Sequence, residues 1–374
     1  MRHILRSIAP LTVAFVATIA GLTARTSAPQ GAVYTASNST AGNAVLVFDP
    51  DADGRLSSAP AVATGGLGTG GGLGNQGGVR LSADGRFLLV VNAGSNDLSV
   101  LEVTNTGLTL RDRTSSGGSL PISVTVNGRL VYVLNAGGAA GSTDRVVGFR
   151  LSRDGQLRMI AGSARGLSAA NTGPAQVEFS PDGAYLAVTE KNTNLIDIFP
   201  VNDDGTLGTG AAYASAGTTP FGFAFGKRGQ LFVTEAFGGA PDASATSSYQ
   251  LSRTGVLEIL SPAVPTTETA ACWAAVSGDG RFVYVTNTGS GSISGYSIEP
   301  DGTIALLDAD GVTATTGPGS APIDLAFSGN NRLLFALNSG TQSISAFRVR
   351  EHGGLIPGAT TIGLPAGANG LAAR

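Results

Sequence analysis

One pattern recurs about every 50 residues along this chain, and it limits the possible folds more than any other feature of the sequence. Each copy has a short apolar strand, a turn glycine and then an apolar residue that opens the next strand. The turn glycines are Gly54, Gly107, Gly155, Gly205, Gly255, Gly302 and Gly354. A large apolar residue stands six positions before the glycine in six copies, whereas Phe347 stands seven before Gly354. The residues that open the next strand are Leu56, Leu108, Leu157, Leu207, Val256, Ile304 and Leu355.

A second pattern lies upstream of each turn glycine. Segments such as FSPDGAYLAVTE and VSGDGRFVYVTN give an apolar strand, a turn and another apolar strand. The later strand is apolar almost without alternation, as Phe282–Val285 shows, which is typical of a strand covered on both faces. Each repeat therefore predicts four short antiparallel strands, and no stretch has helical periodicity.

Seven such repeats predict an all-β, seven-bladed β-propeller over residues 29–374. The first repeat lacks its innermost strand, because the mature chain enters at AVYTASN, which matches a second strand. Residues Gly370–Ala373 read as a lone first strand. We therefore expect the C-terminal strand to pair with blade one and close the ring, which removes an exposed sheet edge.

Charge and cysteine content restrict the possible partners. The net charge is −3 and charged residues make up 13% of the chain, so no basic surface is available for nucleic acid. The single cysteine, Cys272, excludes an internal disulfide and a thiolate metal cage. We expect no cofactor and a monomer, and the cysteine and histidine content assigns no metal ligands.

The first 28 residues have the pattern of a secretory signal peptide. Arg2, His3 and Arg6 precede an uncharged stretch from Ser7 to Ala24, and small residues follow. We expect cleavage between Ala20 and Gln30, export to the periplasm or the exterior, and no membrane contact afterwards. The alternative is an uncleaved anchor helix, since 18 uncharged residues approach the length that spans a bilayer.

Two short motifs have plainer explanations than the ligands they suggest. Asp49–Gly54 matches the start of a calcium loop but lacks the glutamate that completes it, so it reads as an ordinary turn. Gly66–Gly71 matches GxGxxG, but a strand follows instead of a helix. We interpret it as a flexible loop between blades.

The tetrapeptide YVTN at Tyr284–Asn287, followed by SISGYSI, resembles the repeat unit of the lactonase-like propeller family. That family includes 6-phosphogluconolactonases and carboxymuconate-cyclising enzymes, and the resemblance covers essentially the whole mature chain. It implies a Pro-Arg-His at the start of one first strand, an Asn-Glu at the end of the second strand of that blade, and a further histidine on an earlier blade. In such a set Arg holds a carboxylate or phosphate, and His or Glu moves a proton.

This chain departs from that family set. Pro174 is retained, but Ala175 and Gln176 stand at the Arg and His positions, and Glu190 and Lys191 stand at the Asn-Glu positions. The histidines are His3, in the signal segment, and His352, in a turn on the opposite face. Histidine catalysis is therefore excluded.

First-strand starts and second-strand ends should form one rim of the central channel, because they are adjacent in an antiparallel pair. Glu190 and Glu235 replace the asparagine that other blades carry at this position. We predict that the two glutamates share a cation or that one of them acts as a base, and that Lys191 binds an anionic group of the ligand. Gln176, Trp273 and Asp324 are the remaining ligand-binding candidates. The rim asparagines are expected to bond to nearby backbone.

Two functions remain open from the sequence. The resemblance implies hydrolysis or cyclisation of a small lactone. The missing Arg and His favour a non-catalytic exported propeller that binds a small ligand, a glycan or a protein through the rim.

Overall fold

The computed structural model describes residues 31–374, and the predicted signal peptide lies outside them. The described chain forms seven antiparallel sheets, each with four main strands. The innermost strands of successive sheets touch each other all the way round, so the sheets form the blades of a closed seven-bladed propeller. Two short 3₁₀ helices, Gly137–Ala140 and Phe237–Gly239, interrupt the strands. No helix among residues 31–374 is long and apolar enough to span a membrane.

The strands of blades 1 to 3 are β1 Val33–Ala36, β2 Ala44–Pro50, β3 Leu56–Ala63, β4 Val79–Leu81, β5 Phe87–Asn92, β6 Asp97–Thr104, β7 Gly107–Ser115, β8 Pro121–Asn127, β9 Leu130–Ala136, β10 Asp144–Leu151, β11 Leu157–Met159 and β12 Arg165–Gly166. Those of blades 4 and 5 are β13 Pro174–Phe179, β14 Tyr185–Glu190, β15 Leu195–Pro200, β16 Ala211–Ala214, β17 Pro220–Phe225, β18 Gln230–Glu235, β19 Ala245–Leu251 and β20 Leu257–Pro265. Those of blades 6 and 7, with the last strand, are β21 Ala271–Val276, β22 Phe282–Asn287, β23 Ser292–Ile298, β24 Ile304–Leu306, β25 Ala314–Thr315, β26 Pro322–Phe327, β27 Leu333–Asn338, β28 Ser343–Val349, β29 Leu355–Ile362 and β30 Asn369–Ala373. In every blade the strand nearest the channel comes first, except in blade 1, where β30 takes that place.

The two ends of the described chain close the ring, as the sequence predicts. Strand β30 pairs antiparallel with β1, with Val33 opposite Ala373 and Thr35 opposite Leu371. Beyond the paired strands, the backbone N–H of Arg374 donates to the carbonyl of Ala32 at 3.0 Å. Blade 1 is thus completed by a strand from the far end of the sequence.

The hydrophobic core lies between neighbouring blades. The second strands, such as β22 and β27, are buried along their whole length, because a neighbouring blade covers each face. One cluster joins Phe48 of blade 1 to Phe335 of blade 7, and another joins Ile198 of blade 4 to Phe223 of blade 5. Each blade is therefore held by its two neighbours and has no separate core of its own.

The turn glycines adopt the left-handed backbone that the repeat pattern requires, with one correction. Six of the predicted glycines have positive φ, but in blade 7 the residue with φ of 84° is Gly353 and not Gly354. Phe347 therefore also stands six residues before its turn glycine, and the spacing is uniform. In blade 5 the next strand opens at Leu257, because Val256 is 44% exposed whereas Leu257 is buried.

Candidate functional site

The predicted rim is present at one end of the channel. Pro174 lies opposite Glu190 in blade 4, and Pro220 lies opposite Glu235 in blade 5. The register then shifts by a bulge, so that Gln176 lies opposite Thr189. Bulges after the same first pair in other blades place Ser123, Trp273 and Asp324 at the equivalent position. Three predicted ligand residues, Gln176, Trp273 and Asp324, thus share one structural position in three blades.

At that position, two of the three side chains join neighbouring innermost strands. The Gln176 amide donates to the carbonyl of Phe223 at 2.9 Å and accepts from its N–H at 2.7 Å. The Asp324 carboxylate accepts from the backbone N–H groups of Leu325 and Leu371, each at 2.9 Å. Burial raises the pKa of Asp324 to about 7. Both residues therefore hold the ring together around the channel.

The loop between β3 and β4, residues 64–78, lies across the channel mouth, and we call it the mouth loop. Its Asn75 carbonyl accepts from the Trp273 indole N–H at 2.5 Å. The Gln76 amide donates to the carbonyl of Ala274 at 2.8 Å and accepts from its N–H at 3.2 Å. The loop enters from blade 1 and reaches blade 6, so it covers the rim where a ligand would enter.

The GxGxxG segment belongs to this loop, so its assignment to a connection between blades is confirmed. It is held by several hydrogen bonds: the Asn38 amide donates to the Gly71 carbonyl at 2.7 Å and accepts from the Thr69 N–H at 2.9 Å. The backbone N–H of Gly70 also donates to the Asn38 carbonyl at 2.7 Å. The segment is therefore anchored to blade 1 and offers no helix N-terminus to a phosphate.

Lys191 lies beneath the mouth loop. Its ammonium donates to the Gly74 carbonyl at 2.6 Å and lies 4.5 Å from the centre of the Phe221 ring. The Phe221 ring in turn packs against the Trp273 indole, with 5.1 Å between ring centres. Desolvation lowers the pKa of Lys191 to about 8. A poorly hydrated cation and an aromatic pair therefore meet at the channel mouth.

Glu235 is fully buried and its hydrogen bonds stay within blades 4 and 5. Its carboxylate accepts from the Gly217 N–H at 2.7 Å, the Ser215 hydroxyl at 2.9 Å and the Ser247 hydroxyl at 2.8 Å. Burial raises its pKa, and these donors partly oppose the shift. The charge is thus satisfied by the protein itself.

Glu190 is also fully buried, with different partners. Its carboxylate accepts from the Ser168 N–H at 2.9 Å and from the hydroxyls of Ser168 and Thr193. No residue of the described chain hydrogen-bonds to both glutamates, so the structure does not bring the two carboxylates together. Among residues 31–374, no cluster of three or more His, Cys, Asp and Glu could hold a metal ion.

Asp197 on β15 lies against Glu190 and was missed by the sequence analysis. Burial, followed by the hydrogen bond and charge of Glu190, raises the pKa of Asp197 to about 8. In blades 2, 5, 6 and 7 the equivalent residue is a serine, namely Ser99, Ser247, Ser294 and Ser345. The recurrence of serine at this position of the third strand is the signal by which the sequence could have singled out Asp197.

We call the pair formed by the second-strand end and this third-strand residue a rung. In blades 2, 6 and 7 the rung is a hydrogen bond from an asparagine amide to a serine hydroxyl, at 2.8 to 2.9 Å. The expectation that the rim asparagines bond to nearby backbone is therefore wrong for these three, whose amides donate to serine hydroxyls on the neighbouring strand. In blade 3 the Asn135 amide does donate to a backbone carbonyl, that of Ser116, at 3.3 Å. Glu235–Ser247 and Glu190–Asp197 are modified rungs of the same geometry.

A cavity of about 330 Å³ opens at the other end of the channel, where Arg80 and Glu178 form an ion pair at 2.8 Å. His352 is exposed in the turn between β28 and β29, as predicted. No histidine within residues 31–374 therefore lies at the rim.

Fold and rim together define a seven-bladed propeller whose channel mouth is covered by a loop and carries no histidine among residues 31–374. The family described as "Lactonase, 7-bladed beta-propeller" matches residues 34–165, 143–236 and 242–368. The chain therefore belongs to this lactonase family. A search of curated protein sequences gave no match.

Solved structures with the same fold include bacterial proteins that this chain covers over almost their whole length. A Bacteroides uniformis "putative 6-phosphogluconolactonase" is 21% identical with a TM-score of 0.68, covering 91% of this chain and 98% of that one. A Lactobacillus plantarum protein is 16% identical with a TM-score of 0.73, covering 92% and 99%. The Pseudomonas aeruginosa periplasmic gluconolactonase is 17% identical with a TM-score of 0.67, covering 90% and 98%. At these identities the likeness concerns the fold.

Proposed function

We propose that this propeller binds a small lactone at the channel mouth and opens its ring with the help of Lys191. The observation that carries the proposal is the poorly hydrated Lys191 ammonium beside the Phe221 and Trp273 rings. Membership of the lactonase family and the gluconolactonase named among the solved structures support this class of substrate.

The proposed chemistry needs one cation and one water molecule. Water attacks the lactone carbonyl carbon, the ring C–O bond breaks, and the ring oxygen takes up the proton that the water releases. Negative charge develops on the carbonyl oxygen during attack, and a preplaced ammonium stabilises it. The aromatic pair provides an apolar face against which a ring can pack.

The mouth loop must move before a ligand can reach Lys191, since the ammonium already donates a hydrogen bond to the Gly74 carbonyl. Nine of the 15 residues from 64 to 78 are glycines, which makes alternative backbone conformations accessible. The loop would thus act as a cover that a ligand displaces.

Replacing Lys191 tests this function. We expect Lys191→Met to lower the rate of opening of glucono-δ-lactone or its 6-phosphate about 100-fold, since one oxyanion donor contributes about that much. Lys227→Met is the matched control, because Lys227 is the other lysine of the chain and is exposed at the turn between β17 and β18. Equal rates for Lys191→Met and the unmodified protein would contradict the role of Lys191.

A second candidate function is ligand binding without turnover. The covered mouth and the histidine-free rim of the described chain favour it. Measurements with the same two lactones distinguish the enzyme from the binding protein. A lactone that raises the melting temperature but is not consumed supports binding alone. Consumption that Lys191→Met abolishes supports the enzyme.

The proposal also includes export, on the basis of the N-terminal pattern described above. We expect intact-mass measurement of protein recovered from the periplasm or medium to show cleavage between Ala20 and Gln30. A mass that still contains Met1 would favour the anchor-helix alternative.

A further inference from the structure

The cavity at the end of the channel opposite the mouth loop is a second place where a ligand can bind, and we call it the lower cavity. Its walls are the later halves of the innermost strands of six blades, namely residues 80–81, 178, 223–225, 274–276, 325–327 and 371–373. Its volume of about 330 Å³ is at the small end of the range of about 300–1,000 Å³ that is typical of ligand pockets. None of Lys191, Phe221 and Trp273 lines it, so the lower cavity is distinct from the lactone site proposed at the mouth.

The wall of the lower cavity is apolar except at one charged pair and at Gln76. The charged pair consists of Arg80 on β4 and Glu178 on β13, whose side chains are 31% and 23% exposed. Phe225 and Phe327 are among the apolar residues of the wall. Charged groups in such surroundings interact more strongly with a ligand than they would in open water.

The Arg80 guanidinium has hydrogen-bonding capacity that the protein does not use. Its Nη2 atom lies 2.8 Å from Glu178 Oε2, but the geometry is not that of a hydrogen bond, and Nη2 is buried without a hydrogen-bond partner. A guanidinium carries five N–H donors, and Glu178 is the one polar contact of this side chain among residues 31–374. A carboxylate in the cavity could accept two of these donors at once, which is the geometry that a guanidinium prefers.

Glu178 is held in place from the side opposite Arg80. The Gln176 amide donates to Glu178 Oε2 at 2.8 Å, and the same amide is fixed to the backbone of Phe223 in the next blade. Gln176 is fully buried, so the ring itself positions this carboxylate. Both contacts of Glu178 use Oε2, which leaves Oε1 to accept a hydrogen bond from a ligand.

We infer that the lower cavity binds a small apolar α-amino acid. The ligand carboxylate accepts from Arg80, the ligand ammonium donates to Glu178 Oε1, and the apolar side chain packs against Phe225 and Phe327. The Arg80–Glu178 pair has no net charge, so its complement is a molecule that carries one charge of each sign. A simple carboxylate would leave Glu178 facing a like charge, and a simple amine would do the same to Arg80.

Three ligands with the same branched carbon chain test these contacts separately. L-leucine carries both charged groups, 4-methylpentanoate lacks the ammonium, and 3-methylbutylamine lacks the carboxylate. Isothermal titration calorimetry of the full-length protein should show that L-leucine binds about 10- to 100-fold more tightly than either of the others, since a hydrogen bond to a charged group contributes about that factor. Equal binding of the three ligands, or no binding of L-leucine at millimolar concentration, overturns the proposal.

Two variants connect this preference to the charged pair. We expect Arg80→Met to weaken L-leucine binding about 10- to 100-fold. Glu178→Gln keeps the size of the side chain and removes its charge, so 4-methylpentanoate should then bind more tightly than L-leucine. Unchanged L-leucine binding by Arg80→Met, or an unchanged order of the ligands with Glu178→Gln, contradicts the assignment of the site.

Arg348→Met is the matched control, because Arg348 also forms an ion pair, with Asp53 at 2.7 Å, and does not line the lower cavity. It should bind L-leucine as the unmodified protein does. Melting temperatures show whether the variants fold, and we expect changes of less than about 3 °C, since a partly exposed ion pair contributes little to stability. If Arg80→Met does not fold, the order of the ligands with Glu178→Gln decides. Lactone opening plays no part in these measurements, so the two proposals can fail separately.

Discussion

A chain that ends at Ala366 should melt about 7 °C or more below the full-length protein. The truncation removes β30, the innermost strand of blade 1. Leu371, 6% exposed, leaves the core between blades 1 and 7, and loss of such a residue alone costs about 2–5 kcal/mol. Asp324 also loses the Leu371 N–H that donates to it at 2.9 Å, which leaves a buried acceptor with one donor fewer.

The exposed edge of β1 adds a second expected effect, since an unpaired edge is a site for association between chains. Thermal unfolding and size-exclusion chromatography together measure both effects. Ile362→Ala is a suitable control, because this side chain on β29 is 78% exposed and its loss should change the melting temperature by less than about 1 °C. A truncated protein that melts within a degree or two of the full-length chain would show that β30 does not close the ring.

Trp273→Ala should lower the melting temperature by about 4–7 °C. The indole is 4% exposed and packs against Phe221, and truncating a buried Trp costs about 3–5 kcal/mol. The change also removes the N–H that holds the Asn75 carbonyl at 2.5 Å. We therefore expect the mouth loop to open more readily and the protein to be less stable.

Trp273→Phe separates these two effects, because it retains most of the packing and removes the indole N–H. We expect it to recover most of the stability while the mouth loop remains more susceptible to subtilisin than in the unmodified protein. Cleavage mapped to residues 64–78 is the measurement for the loop. Identical cleavage in all three proteins would show that Trp273 does not anchor the loop.

The fold could be predicted from the sequence because its signals are local and repeated. A turn glycine needs a left-handed backbone, and an apolar strand followed by another turn specifies a blade wherever it occurs. The role of Gly370–Ala373 followed from counting strands, since blade 1 otherwise had three. The errors at Gly354 and Val256 were one-residue shifts, which the pairing of the strands corrected.

The arrangement of the site was less accessible to sequence reasoning. Residues 64–78 have no periodic pattern, and nothing in a glycine-rich segment shows which distant blade it will contact. Asp197 lies within an apolar strand, LIDIFP, where a single acid gives no local signal of its partner. The role of Asp197 becomes clear only from the strand register, which places it where other blades carry a serine and against Glu190.

The equivalence of the rungs has a consequence for how such a protein can change. Each rung joins the same two strands through the same pairing, so a side chain can be exchanged there without altering the path of the backbone. Asn–Ser, Glu–Ser and Glu–Asp already occupy this position in a single chain. The ring thus provides a series of equivalent positions. One or two substitutions at such a position add acidic side chains to one blade, while the other blades preserve the fold.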